Sequence, residues 1–322
     1  MNRQLAAILI GCVAGLAAGL MALAGFKAAT AAIPLLFAAP IAVQIATLGW
    51  GPLAGAIATV AAVVVAGFGA GAQAAAIAAV MLFVPAAWTA NLINLAQPSA
   101  DGRTLIWYPL ARALTHLTLA IVAGCWISGY VLGYSDQAVA EIFRELMVRL
   151  QEARPDLPPP PSEAIEATSR FYAAAIPFAI PAMWLMLHVL ALNISAQITR
   201  LSGRLPRPAD DIARDAGLPF AMLALPLGGI GAMFALSSPY YDLAAVVAGA
   251  GVAAFGLIGL AELHLITRGR AGRPLILSAT YLVLVLIGLP LLAFAVLGAI
   301  RISRRNTQPP VLPPSRGGPN PS

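Results

Sequence analysis

The chain has 322 residues, of which 60% are hydrophobic and only 10% are charged. Because a soluble domain is about 25% charged, this composition excludes an ordinary water-soluble protein and indicates a polytopic membrane protein. The net charge of +6 does not indicate nucleic-acid binding, since the arginines are spread through short loops, where they act as topology signals.

Nine apolar segments follow one another along the chain. They are Leu5–Phe26, Ala31–Leu48, Pro52–Ala70, Ala72–Leu95, Trp107–Tyr134, Arg170–Gln197, Leu218–Ser237, Leu243–Leu265 and Leu275–Ile300. A hydrocarbon core about 30 Å thick requires about 20 apolar residues per helix, and these segments have roughly that length. The sequence therefore predicts an all-α transmembrane helical bundle in residues 1–305, with eight or nine membrane segments. The second segment is short, so it either crosses fully or dips part way.

A hydrophilic insert, residues 136–162, separates the fifth segment from the sixth. Its first part, Asp136–Arg154, is amphipathic, with one helical face made of Val139, Ile142, Phe143, Leu146 and Leu150. The pattern predicts a helix that lies on the membrane or on the bundle, or one that docks a partner protein. A Pro-rich stretch completes the insert. Residues 306–322 form a Pro- and Gly-rich tail that we expect to be disordered.

The arginines predict the orientation only in part. An N-terminus in the cytoplasm, which Arg3 favours, places the arginine-rich loops 200–214 and 268–273 inside and the acidic insert outside, in agreement with the positive-inside rule. Nine crossings then place the C-terminus outside, although an arginine cluster at 301–305 directly follows the last segment. One of these signals must be violated unless the last segment fails to cross, and we favour the two arginine loops.

The first segment carries a stripe of small residues, Gly11, Gly15 and Gly19, spaced four positions apart. Such a stripe lets another helix approach closely. It predicts either packing within the chain or docking of a separate transmembrane subunit, and both interpretations remain open at this stage.

Polar groups within the apolar segments form the predicted ligand site, because such groups are costly in a bilayer and are commonly functional. In the favoured topology Arg112 and His116 share one helical face toward the cytoplasmic leaflet. The full set is Arg112, His116, Glu262 and His264, with Asn91 and Asn94 in the same layer. It predicts either a structural network or a site for a solute, ion or proton, in which arginine and histidine hold an anionic group and Glu262 pairs with them when the site is empty.

Motifs for catalysis and for ATP hydrolysis do not occur in the sequence. The three histidines lack metal-ligand spacing, and there is no Gly-x-Ser-x-Gly nucleophile elbow or Gly-x-x-x-x-Gly-Lys phosphate loop. Cys12 and Cys125 lie in apolar segments and form no Cys-x-x-Cys pair. We therefore expect no enzyme, no cofactor, no metal site and no ATPase in this chain.

The C-terminal third runs Phe255-Gly256-Leu257-Ile258-Gly259-Leu260-Ala261-Glu262-Leu263-His264, then through an arginine-rich turn to Tyr281 and a last apolar segment. Together with Pro34, Pro40 and Gly49-Trp50-Gly51 in the N-terminal third, it resembles the YybS-type family of bacterial polytopic membrane proteins. The N-terminal third is also distantly similar to the S components of energy-coupling-factor vitamin transporters. That resemblance implies a solute-binding helical bundle whose small-residue stripe docks a shared transmembrane partner.

Two functional hypotheses follow. The first is a multi-pass protein of the bacterial inner membrane that binds or moves a small solute without its own ATPase, in contact with the lipid bilayer and with a transmembrane partner subunit. The second is a non-transporting scaffold that recruits envelope or division proteins through Asp136–Arg154 and the tail. Transport predicts that Arg112→Ala abolishes function while deletion of Asp136–Pro161 is mild, and a scaffold predicts the reverse.

Overall fold

The computed structural model describes residues 2–27, 32–154, 156 and 161–307, which fold almost entirely into helices. The helices in chain order are α1 (Arg3–Lys27), α2 (Ile33–Trp50), α3 (Pro52–Ala78), α4 (Val84–Asn94), α5 (Leu110–Leu132), α6 (Asp136–Ala153), α7 (Ser162–Leu201), α8 (Ile212–Asp215), α9 (Ala224–Ala235), α10 (Tyr240–Ile266), α11 (Arg273–Ile287) and α12 (Pro290–Thr307). A π-helical turn (Ala79–Phe83) joins α3 to α4, and a 3₁₀ turn (Phe220–Leu223) precedes α9. Two short strands, β1 (Ala96–Pro98) and β2 (Leu105–Trp107), pair antiparallel with Gln97 opposite Ile106.

Six helical stretches among the described residues are long and apolar enough to cross a bilayer. They are Arg3–Lys27, Ile33–Trp50, Pro52–Asn94, Leu110–Leu132, Ser162–Leu201 and Tyr240–Ile266, and two shorter apolar stretches are Phe220–Ala235 and Arg273–Ile287. The chain is therefore an all-α, membrane-embedded protein, as predicted. The predicted total of eight or nine crossings is not confirmed by this count. The predicted disorder of the tail concerns residues that, from 308 onward, lie outside the described ranges.

The stretch Pro52–Asn94 is 43 residues long because it contains a reversal of the chain. At Gly71 the backbone has φ 90° and ψ 170°, far from helical values. A Cβ built on Gly67 would lie 3.3 Å from the Cβ of Ala75, whereas eight residues of continuous helix would separate two such positions by about 12 Å. The stretch is thus a pair of helical arms that fold back on each other, at the place where the third and fourth predicted segments meet.

The predicted small-residue stripe of α1 packs against the first arm of α3. A Cβ at Gly11 would lie 2.8 Å from the carbonyl oxygen of Ala54, and a Cβ at Gly19 would lie 2.9 Å from that of Ala62, with Gly15 equally close in between. Residue numbers on both helices increase together from one contact to the next, so α1 runs parallel to this arm. The stripe therefore serves packing within the chain, and in this structure it offers no free face for docking a separate subunit.

The central helix of the bundle is α10, whose most apolar window is 83% buried, compared with 28–39% in the other five long apolar stretches. Its glycines allow neighbouring backbones to touch it. A Cβ at Gly249 would lie 2.0 Å from the carbonyl oxygen of Phe178 on α7, and a Cβ at Gly259 would lie 1.9 Å from that of Phe294 on α12. In a bilayer, helices are held by such close packing, because lipid tails are as apolar as the side chains.

The last predicted segment, Leu275–Ile300, is divided between two helices. Helix α11 ends at Ile287, Gly288 follows with φ 71°, and α12 begins at Pro290. Glycine tolerates this backbone conformation and proline has no N–H to continue a helix, so the two residues together break the apolar run.

Helix α12 then runs back in the same direction as α10. Leu291 contacts the Gly256 position of α10, Phe294 contacts that of Gly259, and Arg301 pairs with Glu262, so the two sequences advance together. The 15 residues of α11 span about 22 Å, less than a hydrocarbon core of about 30 Å. The α11–α12 pair therefore enters and leaves the bundle at the same end.

With this return, the two arginine-rich loops and the arginine cluster at 301–305 lie at the same end of the bundle. One end of the bundle, hereafter the basic end, contains the start of α1, the loops after α4, α7 and α10, and the end of α12. Among the described residues it carries thirteen basic side chains (Arg3, Arg103, Arg112, Arg200, Arg204, Arg207, Arg214, Arg268, Arg270, Arg273, Arg301, Arg304 and Arg305) and five acidic ones (Asp101, Asp210, Asp211, Asp215 and Glu262). The opposite, acidic end carries five basic side chains (Lys27, Arg144, Arg149, Arg154 and Arg170) and eight acidic ones (Asp136, Glu141, Glu145, Glu152, Asp156, Glu163, Glu166 and Asp242).

Replacement of Gly259 by alanine should lower the stability of the protein, because the added methyl group has no room beside the Phe294 carbonyl. Overpacking of this kind costs about 1–3 kcal/mol. Thermal unfolding in detergent measures it, with Gly228→Ala as the matched control, since nothing lies within 4 Å of a Cβ at Gly228 on α9. Equal melting temperatures for the two variants would show that the α10–α12 contact is not close.

Candidate functional site

Glu262, a predicted site residue, pairs with an arginine that the prediction did not include. Nη1 of Arg301 lies 3.0 Å from Oε2 of Glu262, and the arginine side chain is only 6% exposed. The same guanidinium donates from Nη2 to the carbonyl oxygens of Ala213, Arg214 and Ala216, at 2.9, 3.0 and 3.3 Å. Glu262 therefore helps to fasten α12 to α10 and to the loop around α8.

His264 is also engaged within the chain. Its Nε2 lies 2.8 Å from the hydroxyl of Tyr281 on α11. This contact joins α11 to the end of α10, two residues beyond the ion pair of Glu262. The α10 half of the predicted site thus holds the α11–α12 pair in place.

The α5 half of the predicted site lies in different surroundings. The His116 ring faces Trp88 and Tyr108, with centroid distances of 6.3 and 6.4 Å. Arg112 is exposed, and its guanidinium makes no hydrogen bond or ion pair with any described residue. Within the described ranges, no contact joins this pair to Glu262 or to His264, so the four residues do not form one bonded cluster.

Asn91 and Asn94 line a cavity of about 360 Å³ at the basic end, together with Arg204. Asn94 donates from Nδ2 to the end of α2 at 2.9 Å, while its Oδ1 is buried with no hydrogen-bond partner among the described residues. The guanidinium of Arg204 lies over the Trp50 ring, 4.4 Å from its centroid. The predicted amide layer therefore lines a cavity, but the cation beside it is Arg204 and not Arg112.

His188 is fully buried on α7 and contacts the π-helical turn. Its Nε2 lies 2.7 Å from the carbonyl oxygen of Met81, and its Nδ1 is buried with no partner among the described residues. A π turn disturbs the regular backbone pairing of a helix and is frequently found at functional sites. In this protein it lets α7 bind the second arm of the α3–α4 stretch through one buried hydrogen bond.

Buried and half-exposed ion pairs tie the loops of the basic end together. Arg207 binds Asp210 through two hydrogen bonds of 2.7 and 2.8 Å and also donates to the carbonyl oxygens of Ile93 and Tyr108, both at 2.9 Å. It thereby joins the loop after α7 to the end of α4 and the start of α5.

A second bridge on this end joins Asp211 to Arg268, with one hydrogen bond of 2.6 Å. The hydrogen bonds from Arg268 hold the pKa of the Asp211 carboxyl below its usual value. A lowered carboxyl pKa means that the bridge is fully present at neutral pH and is lost only as the pH falls through that lowered value. Because both side chains are more than one third exposed, the bridge contributes little to stability.

A larger cavity of about 760 Å³ opens at the acidic end, between α6, α7 and the start of α10; we call it the cleft. Sites for small molecules commonly occupy about 300–1,000 Å³. The charged residues that line the cleft are Asp136, Glu141, Arg144, Glu166, Arg170 and Asp242. It is thus a ligand-sized space with four carboxylates and two guanidinium groups on its walls.

Some of these charges are paired and others are not. Glu166 and Arg170 form an ion pair at 3.6 Å along α7. Glu141 and Arg144 on α6 have no ion-pair partner within the described ranges. Oδ1 of Asp242 is buried and has no hydrogen-bond partner among the described residues. Polar groups without a bonding partner among the described residues therefore lie on both the α6 wall and the base of the cleft.

Tyr134 lies close to the base of the cleft, and its hydroxyl donates to the carbonyl oxygen of Ala173 at 2.7 Å. Burial raises the pKa of this phenol, and the nearby carboxylates of Asp242 and Asp136 raise it further. The phenol therefore stays protonated and keeps its hydrogen bond to α7. Since both carboxylates act on the same hydroxyl, negative charge is concentrated at the base of the cleft.

The amphipathic pattern of the insert is confirmed as helix α6, which begins after Ser135; the Ser135 hydroxyl accepts a hydrogen bond from the Ala138 N–H at 3.1 Å. Only part of the predicted apolar face is covered. Val139 is buried and Phe143 stacks on Tyr172 at 5.1 Å. The rest of that face remains exposed, namely Ile142 at 65%, Leu146 at 52% and Leu150 at 49%.

Sequence reasoning missed Asp242, Arg144, Arg204 and Arg301 as candidate functional or positioning residues. The arginines had been interpreted as topology signals or as part of a solvated helix face, and Asp242 lies just ahead of an apolar segment, where a carboxylate is ordinary. The available signal was Asp242 itself, a carboxylate directly before a long Gly- and Ala-rich segment. Its partners, however, depend on how α6 and α7 are placed.

No family model matches the chain, and neither the curated proteins nor the solved structures contain a match. The contacts described above therefore carry the functional argument on their own.

Replacement of Arg301 by glutamine should destabilise the protein strongly, because the half-buried carboxylate of Glu262 loses its partner. Breaking a buried pair from one side costs about 3–5 kcal/mol. Thermal unfolding of Arg301→Gln in detergent measures the loss, and Arg270→Gln is the control, since Arg270 is exposed at the same end. A loss no greater than that of the control would mean that the pair is not a structural clamp.

Proposed function

We propose that this membrane-embedded protein binds a small solute in the cleft at the acidic end and that it is a transporter-like protein of the bacterial inner membrane. The observation that supports this most directly is a space of about 760 Å³ with charged walls, placed against the buried central helix α10. The distant resemblance of the N-terminal third to vitamin-transporter S components would agree with such a role. Because the sequence has no phosphate loop, energy for any transport comes from an ion gradient or from a separate subunit.

The charge pattern favours a solute that carries an ammonium group. Asp136 and Asp242 lie at the base, and Asp242 has a buried oxygen that no described residue satisfies. An ammonium group supplies the missing donor and charge. Arg144, without an ion partner among the described residues, faces the same space and suits a carboxylate on the other side of a zwitterionic solute.

The orientation proposed for this role places the basic end in the cytoplasm, since arginines near short loops favour that side. The cleft then opens to the outside, where an imported solute first meets the protein. The predicted residues Arg112 and His116 lie toward the cytoplasmic end of α5 and are candidates for an exit site. Glu262 and His264 hold the α11–α12 pair in this proposal.

A ligand-induced shift in melting temperature tests the proposal. Purified protein is unfolded by heat in the presence of amines, amino acids, organic acids and phosphate esters, one class at a time. We expect an ammonium-bearing solute to raise the melting temperature, since a ligand at 100 times its Kd adds about 2.7 kcal/mol of stability. Asp242→Asn should abolish the shift, and the control Glu163→Gln, which removes an exposed carboxylate outside the cleft, should keep it.

The alternative function is a scaffold that recruits envelope or division proteins, and the exposed apolar face of α6 favours it. Deletion of the insert cannot separate the two functions, because α6 forms both the cleft wall and this face. Leu146→Glu can, since it changes the outer face alone. Loss of co-purifying envelope proteins in Leu146→Glu, with no solute stabilising the parent protein, would replace the transporter proposal by the scaffold.

A further inference from the structure

The cavity at the basic end has the chemistry of an anion site. It lies between the turn from α2 to α3, the end of α4 and the loop after α7. Ten residues line it, and none of them is acidic. Its one cationic side chain among the described lining residues is Arg204, whose guanidinium has no carboxylate partner there.

Arg204 is held in place for this role by its neighbours. Its guanidinium lies over the Trp50 ring at 4.4 Å, and a Cβ at Gly49 would lie 3.7 Å from its stem, so the side chain rests across the last turn of α2. A guanidinium that is stacked on an aromatic ring still presents its N–H groups at its edge. The side chain is therefore oriented at little further entropic cost before any anion arrives.

Two amides complete the cavity. The side chain of Asn91 makes no hydrogen bond with any described residue, so its amide is available as a donor. Oδ1 of Asn94 is buried and has no partner in the described ranges, and it needs a donor such as a hydroxyl.

We propose that this cavity binds a phosphate group that carries a neighbouring hydroxyl, either in the headgroup of a hydroxylated anionic lipid such as phosphatidylglycerol or in a soluble phosphate ester. Arg204 and Asn91 hold the phosphate oxygens, and the hydroxyl donates to Asn94. The site lies at the opposite end from the cleft and does not depend on the proposed solute function.

Native mass spectrometry of the purified protein tests the lipid source. We expect the parent protein to retain one phosphatidylglycerol in preference to phosphatidylcholine, and Arg204→Gln to lower that retention at least tenfold. Arg103→Gln, which removes an exposed arginine from the same end, is the matched control and should retain the lipid. Asn91→Asp is a second variant that places a repelling carboxylate in the cavity without disturbing the Arg204 stack.

Thermal unfolding with glycerol phosphate and with inorganic phosphate tests the soluble source. Stabilisation of the delipidated parent protein by glycerol phosphate, lost in Arg204→Gln and in Asn91→Asp, supports the site with a soluble ligand. Stabilisation by inorganic phosphate to the same degree would overturn the role given to Asn94 and the hydroxyl. Equal lipid retention and equal phosphate response in Arg204→Gln and Arg103→Gln would overturn the site altogether.

Discussion

The close approach of backbones along α10 is the contact on which the rest of this bundle depends. At Gly249 and Gly259 a carbonyl oxygen of a neighbouring helix occupies the space that a side chain would need. Lipid gives two apolar helices little reason to associate, so contacts of this kind, rather than the burial of large side chains, hold the bundle together. The same device joins α1 to α3 through Gly11, Gly15 and Gly19, which explains why so much of the core is glycine and alanine.

The packing of α12 on α10 has an electrostatic consequence. Because α12 returns in the direction of α10, Arg301 and Arg305 meet the loop around α8 and donate to its carbonyl groups. The basic end is thereby closed by arginines that bind backbone oxygens and by the Glu262–Arg301 pair. The acidic end carries the cleft, which lies between α6, α7 and the start of α10.

The sequence predicted the elements whose signal is local. Hydropathy located α1 and α10 to within a few residues, and the amphipathic period of Asp136–Arg154 gave α6. The return of the chain at Gly288 and Pro290 was not predicted, because hydropathy measures the apolarity of a run and not its direction, and the run stays apolar through the break. The arginine cluster that follows this run lies at the same end of the bundle as the two arginine-rich loops.

The predicted site was harder, because the spacing of residues within a helix does not say which neighbour that face meets. Glu262 pairs with Arg301, and His264 contacts Tyr281. Both partners, Arg301 and Tyr281, belong to the last apolar segment and the residues that directly follow it. Asp242 became prominent only when α6 and α7 placed a cavity over it. Rotation and pairing of helices decide these contacts, and they are set by the glycine positions of several helices at once.

The sidedness of α12 tests the central claim, that the last apolar segment returns to the end it left. In a background without Cys12 and Cys125, single cysteines at Asn2, Glu152 and Asn306 are labelled in intact cells with a membrane-impermeant maleimide; all three positions are exposed. The account predicts that the cysteines at Asn2 and Asn306 are protected until the cells are permeabilised, while the one at Glu152 reacts at once. If the cysteine at Asn306 reacts in intact cells, as the one at Glu152 does, and not only after permeabilisation, as the one at Asn2 does, the account is contradicted.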